Sequence, residues 1–289
     1  MSAPSPAVTI AVPTRNRAPY LEVALASLAQ QRVTCSYEVI VVDDASTDAT
    51  AAVAREQGFC YERFETPRGL NAARNRALEL SSSPLIAFVD DDIHAPPHWL
   101  SALLAGAERY PHCEAFGGPI RAAVQGRGAR GCGRERPPVT TLELGDRDRL
   151  VQRVWGANMA LRRSALERAG RFDERIGGHG DEEEWLECLL RAGGQIMYLA
   201  EAWLLHRRVG GDATIRSLAR SAYARGRGAR ASDERRRAAP PLRSELRTLA
   251  GCAYHTLRRA CPQGIVMGAH AAGRVSRALG LPRQAGRGQ

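Results

Sequence analysis

The chain has 289 residues, 44% of them hydrophobic, enough to bury the core of one large domain or of a domain with an appendage. Its net charge is +10, and because no lysine occurs, every basic residue other than histidine is an arginine. Complete replacement of lysine is the mark of a GC-rich coding bias, so the basic pI near 9.8 is weak support for nucleic-acid binding.

No run approaches the ~20 apolar residues of a membrane-spanning helix. Met1 to Ala7 has neither the charged start nor the apolar middle of a secretion signal, so residence in the cytoplasm is expected. Seven cysteines occur at irregular spacing without a Cys-x-x-Cys pair, a pattern suited to reduced thiols rather than a disulfide framework or a zinc cage.

In chain order, Val8 to Val12 reads as a buried strand ended by Pro13. Pro19 to Gln30 has helical spacing, with Leu21, Leu25 and Leu28 on one face and Pro19 in the first turn. Tyr37 to Val42 is a second strand that stops at Asp43-Asp44. Ser46, Thr47 and Asp48 then offer caps for a helix through Ala54. Asn71 to Leu80 reads as a helix and Leu85 to Val89 as a third strand, which runs into Asp90-Asp91-Asp92. Gln125 to Pro138, rich in glycine and arginine, reads as a mobile loop. Trp155 to Gly170 holds a short strand and then a helix. Asp181 to Ala192 is a helix with an acidic start, ended by Gly193-Gly194. Gln195 to Leu205 is the last strand-like run. Beyond Gly210, helical periods recur at Ile215 to Tyr223 and Leu242 to Leu257, separated by a charged, proline-ended linker over Arg225 to Pro241.

Strands alternating with helices predict an α/β domain with a mostly parallel sheet flanked by helices, and a helical C-terminal tail. The expected division is 1–210 for the sheet domain, its first half over about 1–98 and its second over 99–210, with an arginine-rich extension over 211–289. Sites of such sheets lie beyond the carboxyl ends of the strands. Three strands end there in polar or acidic residues: Thr14 to Asn16, Asp43-Asp44 and Asp90 to Asp92.

The acidic triplet carries the strongest chemical signal. Adjacent carboxylates at a strand end repel one another, and a divalent cation removes that cost. Magnesium and manganese take oxygen ligands, commonly one or two carboxylates together with substrate phosphates. Asp90 and Asp92, two apart on an extended chain, point to the same side.

At this point the chain resembles the family 2 glycosyltransferases, whose domain is called the GT-A fold. The resemblance spans about Val8 to Arg208. Val12-Pro13-Thr14-Arg15-Asn16-Arg17 resembles the family's first strand and nucleotide-contact turn. Val41 to Asp48 is similar to its VDDGSTD segment, with Ala45 where glycine is usual. Arg68 to Asn75 resembles the helix start G-x-x-x-ARN, Asp90 to Asp92 the DxD metal motif, Gly156 to Arg163 the GGN-x-x-x-R stretch, and Phe172-Asp173-Glu174 the GFDE segment.

The resemblance implies an inverting, metal-dependent transferase that moves a sugar from a nucleoside-diphosphate donor to an acceptor hydroxyl. Pro13, Thr14, Arg15, Asn16, Asp43, Asp44, Arg74 and Asp91 would contact the donor. Carboxylates would accept from base or ribose, and the arginine fork would hold phosphate. Asp44 and Asp48 have a plain alternative as helix caps. Asp90, Asp92 and His206 would bind Mn2+ or Mg2+. The family's catalytic base lies in an Glu-Asp pair, whereas this chain reads Asp181-Glu182. Glu182 therefore stands in the base position, with Asp181 the alternative. His179 is a lesser acceptor-site candidate, and Trp155 and Trp185 suit core packing better than sugar stacking.

UDP is the default nucleotide, with dTDP and GDP as alternatives; the sugar, the acceptor and the oligomeric state have no readable code. The arginine-rich helices beyond Gly210 fit a cap on the domain, a lid or dimer contact, or a peripheral contact with anionic membrane at its inner face. Three rival readings remain. One is an inactive GT-A binding module, another a basic nucleic-acid-binding protein, and the third a nucleotidyltransferase. Acidic strand ends repel nucleic acid, and the turn after the first strand lacks a nucleotidyltransferase's glycine-rich loop.

Overall fold

A computed structural model of the chain describes residues 5–126, 132, 138–176 and 181–282. Val39 to Val42 is buried on both faces, as a strand covered by helices on each side must be. The elements in order are β1 (Val8–Thr14), α1 (Ala18–Ala29), β2 (Tyr37–Asp43), α2 (Thr50–Glu56), β3 (Cys60–Arg63), α3 (Leu70–Leu80), β4 (Leu85–Val89), β5 (Ile93–His94), α4 (Trp99–Arg109), β6 (Ala115–Gly117) and β7 (Ile120–Val124). There follow β8 (Arg149–Val151), β9 (Asn158–Arg162), α5 (Ala165–Ala169), α6 (Asp181–Arg191), β10 (Ile196–Tyr198), β11 (Leu204–Arg208), α7 (Ile215–Arg235), α8 (Leu242–Arg259) and α9 (Gln263–Ala278).

An eight-stranded sheet runs β3-β2-β1-β4-β9-β6-β10-β8. Its first four strands are parallel, so β1, β2 and β4 deliver their carboxyl ends to one rim. β9 then enters antiparallel between β4 and β6, opening the mixed half of the sheet. A second sheet has the order β5-β11-β7. The mostly parallel sheet flanked by helices, with helices at the C-terminal end, is the fold class that the strand and helix pattern predicts.

Apolar side chains fill both faces of the large sheet. Leu21, Leu25 and Leu28 of α1 pack with Ile10, Val12 and Val41 on one side. Ala73, Ala77, Phe172, Trp185 and Leu189 pack with Ile40, Ile86 and Phe88 on the other. Trp185 is 3% exposed and its indole donates to the Gly170 carbonyl, so it is a core residue.

Four sequence readings are corrected. β1 continues through Pro13 to Thr14, because β4 has left β1 after Ala11 and a residue without an N–H breaks no ladder bond there. The run Gln195 to Leu205 is two strands in two different sheets, since β10 pairs with β6 and β8 while β11 pairs with β5. Arg225 to Arg235 is not a linker but the second half of α7. Gly226 there is a packing requirement: a Cβ would sit 2.0 Å from the His270 carbonyl oxygen of α9. α9 itself, and the strands β3 and β5 to β8, are elements that periodicity did not reveal. The loop read over Gln125 to Pro138 lies outside the described residues except at Gln125, Gly126, Cys132 and Pro138.

The described residues form two compact units. One comprises those of 1–123, 140–177 and 181–207, and the other those of 124–139 and 208–289. The second is built on α7, α8 and α9. In it Glu245 is 4% exposed and accepts from Arg274 (Nε, 2.9 Å) and Arg230 (Nη1, 3.3 Å). Arg274 also donates to Asp233 at 2.7 Å, which ties the three helices through one half-buried ionic cluster centred on Glu245.

Candidate active site

The site grows from three strand ends. Asn16, just past β1, is in the left-handed region (φ 52°), a conformation asparagine tolerates. There its N–H donates to Ser46 Oγ at 2.8 Å and its Oδ1 accepts from the Thr47 N–H at 2.7 Å. The turn after β1 is thereby clamped to the loop after β2. Asp48 completes the clamp by accepting from the backbone of Ala18 and Thr50, the first residues of α1 and α2. Burial raises the Asp48 pKa, but these bonds and that from the Thr50 hydroxyl outweigh it and leave the carboxyl low. Asp48 is thus a helix cap.

Asp43 and Asp44 also hold backbone. Asp43 is fully buried, accepting from the Ser46 N–H at 2.8 Å and the Tyr61 hydroxyl at 2.6 Å. Burial and then the Asp43 charge push the Tyr61 phenol well above its usual range. Asp44 Oδ1 accepts from the Arg68 N–H at 2.6 Å, and both its oxygens lie near the Gly69 N–H, which fixes the entry to α3. Arg15 Nη1 lies 3.9 Å from Asp44. A carboxylate has about four acceptor sites, so Asp44, 7% exposed, keeps acceptor capacity at the rim, whereas Asp43, with no exposed surface, shapes the loop from beneath.

Beyond β4 the triplet divides its work. Asp91 accepts from Thr14 Oγ1 at 2.8 Å and pairs with Arg17 Nε at 3.0 Å. Its burial lifts its carboxyl to about 7, opposed by Arg17 and reinforced by Asp92. Asp90 and Asp92 converge instead with His206, their ligand atoms all within 4.8 Å of one another. The fold explains the meeting. β11 pairs antiparallel with β5, the strand directly after the triplet, so His206 lies opposite Ile93. The Arg207 N–H donates to the Asp92 carbonyl at 2.8 Å and sets the register.

The imidazole is oriented for a ligand's work. Nδ1 lies 2.9 Å from the Thr140 carbonyl, which can only accept, so Nδ1 carries the proton. Nε2 then faces Asp92 Oδ1 at 3.1 Å. Two acceptors at that distance require a cation between them, either a proton or a metal. Two carboxylates and an imidazole oriented from behind suit Mn2+ or Mg2+. Arg17 Nη2, 2.7 Å from Asp92 Oδ2, balances part of the charge.

Glu182, on α6, is held at the same sheet. Its Oε1 accepts from the Gly156 N–H at 3.2 Å, and its Oε2 lies 3.9 Å from Arg74 Nη1. Arg74 is 2% exposed, bonded to Asn71 and lying over the Phe172 ring. A Cβ at Gly156 would come within 2.2 Å of Arg74 Nη2, so a larger residue there must displace the guanidinium. β9 pairs Asn158 with Val89, which brings the Gly156 turn beside the strand end that carries the triplet. Asn158 in turn accepts from the Trp99 indole and donates to the Pro119 and Ala202 carbonyls. Asp181 begins α6, but its side chain and all of His179 lie outside the described residues. Pro13 is in β1, next to Thr14.

The sequence pattern described as Glycosyl transferase family 2 matches residues 9–170, more than half of the chain. The chain belongs to glycosyl transferase family 2. Among family relatives, the Validoxylamine A glucosyltransferase of Streptomyces hygroscopicus subsp. jinggangensis is 30% identical over 235 residues, 68% of this chain and 54% of the relative. The Pre-mycofactocin glycosyltransferase of Mycobacterium tuberculosis is 29% identical over 208 residues, 69% of this chain and 42% of the relative. The chain thus spans about half the length of these curated relatives. The same fold occurs in the mannosyltransferase PcManGT of Pyrobaculum calidifontis, solved with GDP-Man and Mn2+. That likeness has a TM-score of 0.58 at 20% identity, over 97% of this chain and 77% of that one. It also occurs in residues 1–349 of Staphylococcus aureus TarS with UDP-GlcNAc, with a TM-score of 0.56 at 18% identity over 96% and 93% of the two chains.

Within this family 2 chain, sequence reasoning missed two contributors. Arg17 closes the segment quoted for the nucleotide turn but was assigned no role there; its pairing with Asp91 and Asp92 is a tertiary contact that the segment does not announce. The Thr140 carbonyl that orients His206 is backbone, which residue type does not report.

Proposed function

We propose that the chain is an inverting, metal-dependent glycosyltransferase that moves a sugar from a nucleoside-diphosphate donor to an acceptor hydroxyl. The observation that carries this is the convergence of Asp90, Asp92 and His206 at the carboxyl rim of the parallel strands. A divalent cation held there would neutralise the diphosphate leaving group. Asp43, Asp44 and Arg15 line the loops where base and ribose would lie, and Arg74 offers a fork for phosphate. Glu182 takes the proton of the acceptor hydroxyl as it attacks the anomeric carbon opposite the departing phosphate, so configuration inverts. Asp181 is the alternative base.

UDP is the first nucleotide to test, ahead of dTDP and GDP. The direct experiment measures donor binding and slow hydrolysis across UDP-, dTDP- and GDP-sugars with Mn2+, Mg2+ or chelator. Metal-dependent binding that Asp92→Ala removes is the expected result. Absence of binding to every donor with either metal would leave the inactive-module reading in its place.

A cytoplasmic enzyme working at the inner membrane face is a compatible setting, favoured by α8. No described helix is long and apolar enough to cross a membrane. Leu246, Tyr254 and Leu257 share one face of α8 and are 48%, 67% and 84% exposed. Exposed Arg243, Arg247 and Arg258 lie on the same helix. This apolar stripe with basic flanks suits the surface of an anionic bilayer. Flotation with anionic and neutral vesicles tests it, and equal recovery with both would refute it.

A further inference from the structure

We propose that Cys132, His255 and Cys261 form a binding site for a thiophilic divalent cation, zinc by preference, within the helical unit. All three belong to that unit, and their ligand atoms lie within 4.8 Å of one another. Cys132 Sγ is 3.6 Å from His255 Nε2, although the residues are 123 positions apart. A thiolate at about 2.3 Å and an imidazole nitrogen at about 2.0–2.1 Å from one tetrahedral zinc ion hold their donor atoms about 3.6 Å apart. The observed separation, that of a thiol–imidazole hydrogen bond, also matches an edge of a zinc coordination polyhedron, so a metal can replace the shared proton with little movement of either side chain.

The corner between α8 and α9 is shaped to bring the second thiol in. α8 ends at Ala260 in the left-handed conformation (φ 46°, ψ 36°), which is costly for a residue with a Cβ. The turn folds the chain back so that the Cys261 N–H bonds to the Thr256 carbonyl at 3.3 Å. Cys261, 2% exposed, is thereby tied back to the residue that follows His255, and Pro262 then leads into α9. The pair cannot be read from a Cys-x-x-Cys spacing, because its members flank a helix end and the third ligand arrives from before β8.

Two sulfurs and one nitrogen select a borderline-soft ion over Mg2+ or Mn2+, in contrast to the oxygen-rich trio at the sheet rim. Binding replaces two S–H bonds by two metal–sulfur bonds and passes both protons to the buffer, with no change of oxidation state. Three protein ligands leave a fourth position for water or an exogenous donor, and Cys132 is exposed, so the ion has a route in. The bound ion would fasten the chain at Cys132 to the α8–α9 corner.

The test uses the full chain with an Asp92→Asn substitution, which weakens the carboxylate site, titrated with Co2+ under reducing conditions. The expected result is one equivalent of Co2+ showing the intense near-ultraviolet band of thiolate-to-cobalt charge transfer, displaced by Zn2+. Cys132→Ser, Cys261→Ser and His255→Ala each diminish or abolish that band, while Cys60→Ser, at an exposed cysteine of β3, keeps it. Cys132→Ser alters an exposed side chain, and an unchanged circular dichroism spectrum separates lost ligation from lost fold. A Co2+ spectrum without the band, or a band indifferent to all three substitutions, overturns the proposal. So does a Cys132–Cys261 disulfide, found by alkylation and mass spectrometry, that forms as readily with Zn2+ present as without it.

Discussion

The acidic rim of the sheet unit and the ionic cluster of the helical unit use the same carboxylates to opposite ends. At the rim, Asp90 and Asp92 converge on one another and on an imidazole. In the helical unit, Glu245 converges on the guanidinium groups of Arg230 and Arg274. Like charges brought together create a demand for a cation, whereas opposite charges brought together satisfy each other. The rim is kept in its costly arrangement by neutral donors, the Arg68 and Gly69 amides on Asp44, Ser46 on Asp43 and Thr14 on Asp91, and by Arg17, whose single charge faces both Asp91 and Asp92. The difference teaches that binding capacity lies where the fold supplies geometry without supplying full neutralisation.

Substitutions on the rim should leave stability nearly intact and remove activity. Asp92→Asn keeps shape and removes charge. If a cation contributes several kcal/mol to leaving-group stabilisation, the metal-supported rate falls about 10³-fold at 1.36 kcal/mol per decade. Steady-state transfer with Mn2+ checks the loss, and a melting curve within a few degrees of wild type checks the contrast. Glu182→Gln retains an oxygen for the Gly156 N–H and removes the base. The expected loss is about 10²–10⁴-fold in kcat with donor binding preserved. Should Asp181→Asn cause that loss and Glu182→Gln not, the base is Asp181.

The corresponding break in the helical unit runs the other way. Glu245→Ala leaves the half-buried Arg230 and Arg274 without their common buried partner. Removing one member of a buried pair costs about 3–5 kcal/mol, and urea unfolding measures it. A loss below about 1 kcal/mol would mean that Asp233 and Glu234 absorb the charge and that the cluster is no stabilising centre.

A smaller effect sharpens the boundary between the two behaviours. Gly156→Ala drives a methyl into Arg74, which cannot move far at 2% exposure. Overpacking of this kind costs about 1–3 kcal/mol. It should also lower kcat, because Arg74 and the Gly156 N–H both touch Glu182. Unchanged stability and rate would show that the Arg74 side chain yields freely.

The same contrast decides what was legible in the sequence. The acidic triplet was readable because its repulsion is written in consecutive letters after an apolar strand. His206 was readable only through family resemblance, since an isolated histidine at a strand end has no spacing that points to Asp92. The β5–β11 pairing that joins them consists of a two-residue strand, too short for a periodic signal. In the helical unit, arginine and glycine density imitates a linker over Arg225 to Arg235. There Gly226 is a contact surface for α9, and Arg230 forms an i,i+4 pair with Glu234. Composition reports solvent preference, and a helix whose glycines serve packing defeats it.

The gentlest test uses pH. His270 on α9 is held below its ordinary pKa by burial first, then by Arg274 on its own helix and Arg225 on α7, with Glu245 on α8 pulling the other way. The unfolded chain therefore takes up this proton more readily than the folded one. Stability is full while both states are neutral, and it declines as pH falls below about 6.5, the value for an unperturbed histidine. Each pH unit costs at most about 1.4 kcal/mol, until the folded state also binds the proton. Glu245 acts in a separate window. Its carboxyl is raised by burial but lowered further by Arg274 and Arg230, so its contribution persists above the unfolded carboxylate value and fails only under stronger acid. Unfolding free energies between about pH 8 and pH 5 stay clear of that carboxylate range. Over this interval His270→Gln should show a flatter dependence than wild type. Parallel slopes in the two proteins would mean that folding does not change the proton affinity of His270, and that the arginines of α7 and α9 are screened from its ring.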